Sequence, residues 1–129
     1  MDKEALVQLY KRYIHCLNKQ DWTLLPALLS ENVTYNDEVV GVHGYIQMLQ
    51  RDFQAIPDLN FNIDKIIADP PYIAARLLFK CSPVGVLFGF AVNGREVVFS
   101  ENVIYEIDNG RIVKVDSVID KQAIAVQIE

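Results

Sequence analysis

The sequence predicts an α+β fold, a cone-shaped, curved antiparallel sheet packed on three N-terminal helices. Three observations predict it. Apolar residues follow a helical period up to Pro57 and a period of two after it. Strong turn signals, Asn93-Gly94 and Asp108-Asn109-Gly110, separate the later alternating runs, as hairpins require. A chain of 129 residues is one domain, so helices and strands must share one core.

The elements follow in chain order. Over residues 3 to 18, Leu6, Leu9, Tyr10, Tyr13 and Leu17 form one apolar stripe of a helix, with His15 on the opposite face. Asp21 reads as the N-cap of a short second helix, "WTLLPALL", with Pro26 near its first turn. "SENVTYND" is a short strand or extended turn. "GYIQMLQRDFQAI" is a third helix, stopped by Pro57. "LNFNID" then sets Leu59, Phe61 and Ile63 against Asn60, Asn62 and Asp64, and "DPP" is a turn. "YIAARLLFKCS", residues 72 to 82, is a long strand. "VGVLFGF" is apolar and broken by glycine, which suits a bent strand or a loop over the core. "REVVFSENVIYEI" and "RIVKVDSVID" are the last strands, and a mostly apolar tail follows. A long antiparallel sheet twists and curves. Helices on its concave side would enclose an interior suited to a small molecule.

Composition narrows the function. The formal net charge is −5, from 12 basic and 17 acidic residues, which disfavours nucleic acid as a partner. No apolar run reaches the ~20 residues of a membrane span, and no signal-type apolar block follows the first residues, so the chain reads as cytoplasmic. Cys16 and Cys81 have neither the spacing nor the histidines of a zinc site, and no metal is expected. With 51% hydrophobic residues there is material for a core and an apolar pocket. Apolar residues on both sides of one strand, Ile73, Leu77 and Phe79 against Leu78, exceed what three helices can cover and point to a homodimer.

One acid stands where the last strand meets its apolar tail. A carboxylate at such an edge, partly desolvated, would have a raised pKa and serve as a general base; the alternatives are a solvated strand-end acid or an arginine partner. That acid is Asp120. Arg76, mid-strand among apolar neighbours, would orient it or a substrate carbonyl, or join a structural ion pair. Asp116 shares strand parity with Asp120 and could couple to it, unless that face is simply wet. His43, before the third helix, could line a pocket mouth or lie on the surface. Tyr13, Trp22, Tyr35, Met48, Phe53, Phe88 and Phe90 would supply a pocket wall or the core itself. Tyr13, Tyr35 and Asn102 also carry groups able to donate to an enolate oxygen.

Four stretches, in this order, carry a family resemblance: "AIPDL", "KIIADPPYIAAR", an apolar glycine loop before "NGREV", and "IDNGRIVKVDSVIDKQAIAVQI". From about Leu9 to Gln127 the chain resembles the SnoaL-like polyketide cyclases, or ester cyclases, of the nuclear-transport-factor-2-like superfamily. The resemblance implies a cone-shaped, cystatin-like α+β barrel, usually dimeric, with a pocket between sheet and helices. It implies closure of a polyketide ring by intramolecular aldol condensation, with no metal or organic cofactor; for a small, mostly apolar carbonyl compound, isomerisation or hydration is compatible with the same parts. By position, the aspartate that would act as acid/base is Asp120. The chain departs from the family pattern where Cys81-Ser82-Pro83 replaces Gly-Thr-His, where Asp116 replaces a tryptophan, and where Gln127-Ile128-Glu129 replaces Gln-Leu-Gly. The rival expectation is a non-catalytic ligand-binding or dimerisation domain that keeps the pocket and lacks the chemistry.

Overall fold

The computed structural model describes residues 1–129. It holds three helices and a curved mixed sheet. Helix α1 (Lys3–Asn18) starts where the Asp2 carboxylate accepts the Ala5 N–H at 2.8 Å, and it buries the stripe Leu6, Leu9, Tyr10, Tyr13 and Leu17. Asp21 does cap a turn, accepting the Leu24 N–H at 3.1 Å, but the expected second helix is a single 3₁₀ turn, Leu25–Leu28. Pro26 has no N–H to extend it, and Leu29 turns extended at once.

Strand β1 (Leu29–Tyr35) folds back on β2 (Glu38–Val39) through Asn36 and Asp37, both at positive φ. Helix α2 (Gly41–Ala55) follows, three residues longer at its start than its apolar period suggests. Strands β3 (Asn62–Asp69) and β4 (Tyr72–Cys81) form a hairpin across the "DPP" turn. The glycine-broken segment is a loop carrying two short strands, β5 (Val86–Leu87) and β6 (Phe90–Ala91). Asn93-Gly94 is a tight turn with both residues at positive φ, but the strands on either side of it do not pair. The Arg95 guanidinium instead donates to the carbonyls of Ala91, Val92 and Ile128, tying this loop to the chain's end. Strand β7 (Val97–Asp108) joins β8 (Arg111–Ile119) through Asn109-Gly110, the second predicted hairpin. The tail, expected only to be apolar, is a helix, α3 (Lys121–Gln127). The third helix of the fold is therefore C-terminal.

The sheet order is β2-β1-β8-β7-β4-β3. Every pair is antiparallel except β1 with β8, which makes the sheet mixed. A parallel pair needs a long crossover, and everything from α2 to β7 provides it. Helix α1 lies on β3 and β4, α2 on β1, and α3 on β7. Between these helices and the concave face sits one core cluster of 29 buried residues. Both cysteines are buried free thiols. No helix is long and apolar enough to cross a membrane.

Candidate active site

On β7 the inward positions are Val97, Phe99, Glu101, Val103, Tyr105 and Ile107, so an acid occupies one position of an otherwise apolar series. Glu101 pairs in register with Ile119 of β8, and its carboxylate accepts the hydroxyl of Ser117, two residues back. Ser117 is itself held through its backbone, whose N–H donates to Asn36 Oδ1 at 2.7 Å while its carbonyl accepts from Asn36 Nδ2 at 3.2 Å. On α2, Tyr45, Met48, Leu49 and Asp52 share the face that meets the sheet. Both acids therefore line one cavity of about 340 Å³. Its wall is mainly apolar, with Phe61, Phe79, Leu87 and Phe99 among the lining side chains, and Asn36, Asp52, Phe88 and Lys121 are its solvent-exposed members.

The two carboxyls hold protons unusually well. Burial raises the Glu101 carboxyl above its ordinary value, against the pull of the Ser117 hydroxyl. Asp52 keeps solvent on one side, yet it is pushed from 3.8 to about 7, first by desolvation and then by the negative charge of Glu101; Arg51 acts the other way. Beneath them lies a small void of about 40 Å³, walled in part by Tyr13, Tyr35, Tyr45 and Tyr105. Three of these hydroxyls are paired, Tyr13 with Tyr45 at 2.6 Å and Tyr105 with Tyr10, which lies outside the void, at 3.0 Å. Burial raises the pKa of all four paired phenols, so they stay neutral donors.

Of the expected pocket wall, Tyr35, Met48 and Phe88 line the cavity. Tyr13 is buried below it and lines only the small void. Trp22 and Phe53 pack on each other edge to face at 6.0 Å, outside the cavity wall, and Phe90 packs against the core from β6. Successive ring contacts nevertheless run from Trp22 through Phe53, Phe61, Phe79 and Phe99 to Phe88.

The expected polar groups lie elsewhere. Asp120 does not look into an apolar hollow. It is exposed, and its carboxylate accepts the Ala123 N–H at 3.2 Å as the N-cap of α3. The physical reason is parity: on β8 the inward residues are Val115, Ser117 and Ile119, which leaves Asp116 and Asp120 outside. Arg76, Asn102 and Asp116 do come together, but in an open hollow of about 700 Å³ on the outer face of the sheet. Arg76 lies opposite Asn102 and 4.0 Å from Asp64, and Asp116 is 3.9 Å from Lys114. His43 is exposed at the start of α2. Sequence reasoning missed Glu101 and Asp52, though each left a signal: an acid at an inward place of the β7 alternation, and an acid in the apolar stripe of α2 beside Met48 and Leu49. Nowhere do three His, Cys, Asp or Glu side chains group so as to hold a metal ion.

A family model for SnoaL-like polyketide cyclases matches residues 7–128. Among solved structures, a SnoaL-like polyketide cyclase from Agrobacterium tumefaciens is 38% identical and superposes with a TM-score of 0.95, covering 100% of both chains. TsrD from Streptomyces laurentii, at 21% identity, gives 0.86 over 99% of this chain and 97% of its own. AclR from Streptomyces galilaeus, at 18%, gives 0.81 over 98% and 97%. The last two likenesses concern the fold alone. Among curated proteins nothing matches the chain. A family model that spans nearly all of the sequence, together with a 38%-identical solved relative aligned from end to end, assigns this chain to the SnoaL-like polyketide cyclase family.

Proposed function

We propose that the cavity binds a small, mostly apolar carbonyl compound and that Glu101 and Asp52 move its protons. The observation that carries this reading is a pair of carboxyls lining one largely apolar cavity. Two such groups repel each other when both are ionised, so the pair retains one proton near neutrality. Glu101 is the better-supported anion, because the Ser117 hydroxyl donates to it. Asp52 faces the charge of Glu101 and keeps its proton up to about pH 7. One base and one acid then face the same substrate.

Glu101 takes the proton α to a carbonyl, and the electron pair of that C–H bond becomes the enolate. Asp52 keeps its proton and donates it in a hydrogen bond to the enolate oxygen, whose C=O re-forms when the carbon attacks. The enolate carbon attacks a second carbonyl of the same molecule, forming a C–C bond while the C=O π pair moves to oxygen. The new alkoxide takes the proton held by Glu101, which restores the base. This is a cyclase reaction, the activity for which the Agrobacterium relative is named. The scheme draws on no metal or organic cofactor. We infer also that the outer sheet face is covered by a second copy of the chain.

The test is solvent-deuterium exchange of α-protons in aryl methyl ketones, followed by NMR. Glu101→Gln is expected to slow exchange by roughly 10²- to 10⁴-fold, the span of a placed general base. Asp120→Asn, which preserves the helix cap, is expected to leave it unchanged. Loss of exchange in Asp120→Asn with retention in Glu101→Gln would return the chemistry to residue 120. Wild-type protein that binds ketones without exchanging them would leave a ligand-binding domain.

A further inference from the structure

We propose that Lys121 forms an anion subsite at the cavity mouth, so that the substrate is a carbonyl compound carrying a carboxylate at the end remote from the reacting carbon. Lys121 is the single cation among the lining residues of the cavity. The ion pairs of the chain use Arg76, Lys80 and Lys114, and none uses Lys121. Its ammonium lies instead 5.0 Å over the ring of Phe88, held in place and open to an anion. Phe88 is placed there deliberately by the backbone. It has φ of 51°, a left-handed conformation uncommon for an aromatic residue, in the tip of the β5–β6 turn beside Gly89 at 83°.

The other charged groups of the cavity are of the opposite sign, beside the neutral Tyr35, Asn36 and Ser117. Glu101 and Asp52 are acids, and neither has Lys121 as a charge partner. The rest of the wall is mainly hydrocarbon, Leu87, Phe99 and Ile119 among it. A ligand complementary to this arrangement has an anionic end, an apolar middle and a carbonyl end. One monovalent cation suits a carboxylate monoanion better than a phosphate dianion, which would remain half-neutralised beside two acids. The inference rests on the carbonyl reading only for the ligand's far end.

The probes are 4-oxo-4-phenylbutanoate and its neutral amide, with binding measured by calorimetry at low salt. The carboxylate is expected to bind wild type roughly tenfold more tightly than the amide, the factor given by one charge-assisted hydrogen bond. Lys121→Gln should remove that preference and Lys121→Arg should keep it. Added salt should weaken the carboxylate and spare the amide. Equal binding of the two probes by wild type, or a preference that survives Lys121→Gln, overturns the subsite. The same titrations on Glu101→Gln separate the two readings. If the carboxylate preference persists while exchange is unaffected by Glu101→Gln, the acid/base assignment fails and the subsite stands.

Discussion

At the residue scale, the decisive side chains are two acids that line one mostly apolar cavity. For Asp52 the folded-state pKa, about 7, lies above its ordinary 3.8. A carboxyl with a raised pKa adds stability when protonated, and the unfolded chain gains by ionising first. Its contribution is therefore fully present below about pH 4 and is lost as pH climbs to about 7, the window between those two values. Asp52→Asn should remove this dependence. The melting temperature of the variant relative to wild type is expected to rise from pH 4 to 7 and level off above, and a flat difference across that range would contradict a raised pKa. The kcat/KM of wild type should fall on the basic side near pH 7 as Asp52 loses its proton. That limb should disappear in Asp52→Asn, whose amide still donates. Glu101 shares the direction of the shift, and its Ser117 partner opposes it. The signal for both acids was present in the sequence, as a charge out of phase with its own apolar pattern. Asp120 attracts the chemistry because it stands where the last strand meets an apolar tail and where the family resemblance implies an acid, while the segment does not reveal which way its side chain faces. Which face of a strand is inward depends on neighbours that a single segment does not reveal.

At the scale of elements, period and turn chemistry carried most of the fold. Helix α1 follows its stripe from cap to end, and the Asn109-Gly110 hairpin lies where its dipeptide places it. Three features escaped. Pro26 cut the second helix to one turn. The β1–β8 parallel pair joins segments far apart in sequence, and no local pattern encodes such a partnership. Helix α3 has only seven residues, too few to be a stable helix alone, and it forms because tertiary contacts support it. Ile124 is fully buried, and the Gln127 side chain bonds both backbone groups of Val98, at 2.8 and 2.6 Å, as another strand would. Ile124→Ala is expected to cost about 2–5 kcal/mol in urea denaturation. Asp120→Ala should cost about 1 kcal/mol through the lost cap, and Asp120→Asn close to nothing. Equal and large losses from both Asp120 substitutions would show that the carboxylate does more than cap.

At the scale of the whole molecule, the sheet has one covered face and one bare face. Paired positions across four strands give an outward row, Ile67, Ala74, Ile104 and Asp116, and beside it Lys65, Arg76, Asn102 and Val118. Ile67, Ile104 and Val118 are more than half exposed, at 65%, 54% and 71%. A face that mixes apolar side chains with both signs of charge can meet its own copy about a twofold axis, each acid opposite a base. Light scattering at micromolar concentration should give the mass of two chains, and Ile104→Asp should give one chain with an unchanged circular dichroism spectrum. A wild-type monomer would end the dimer proposal and leave the acid/base reading intact.

The row of aromatic rings gives the protein a built-in optical gauge. Its sole tryptophan, Trp22, stands at one end of that row, and Phe88 stands at the other, where a ligand would enter. Red-edge excitation selects the indole over the six tyrosines. The indole lies outside the cavity wall, and Phe53 alone separates it from the lining ring of Phe61, so a change in emission on saturation with ligand would pass through that contact. An unlabelled sample in a fluorimeter can thus follow filling of the cavity from one ring away.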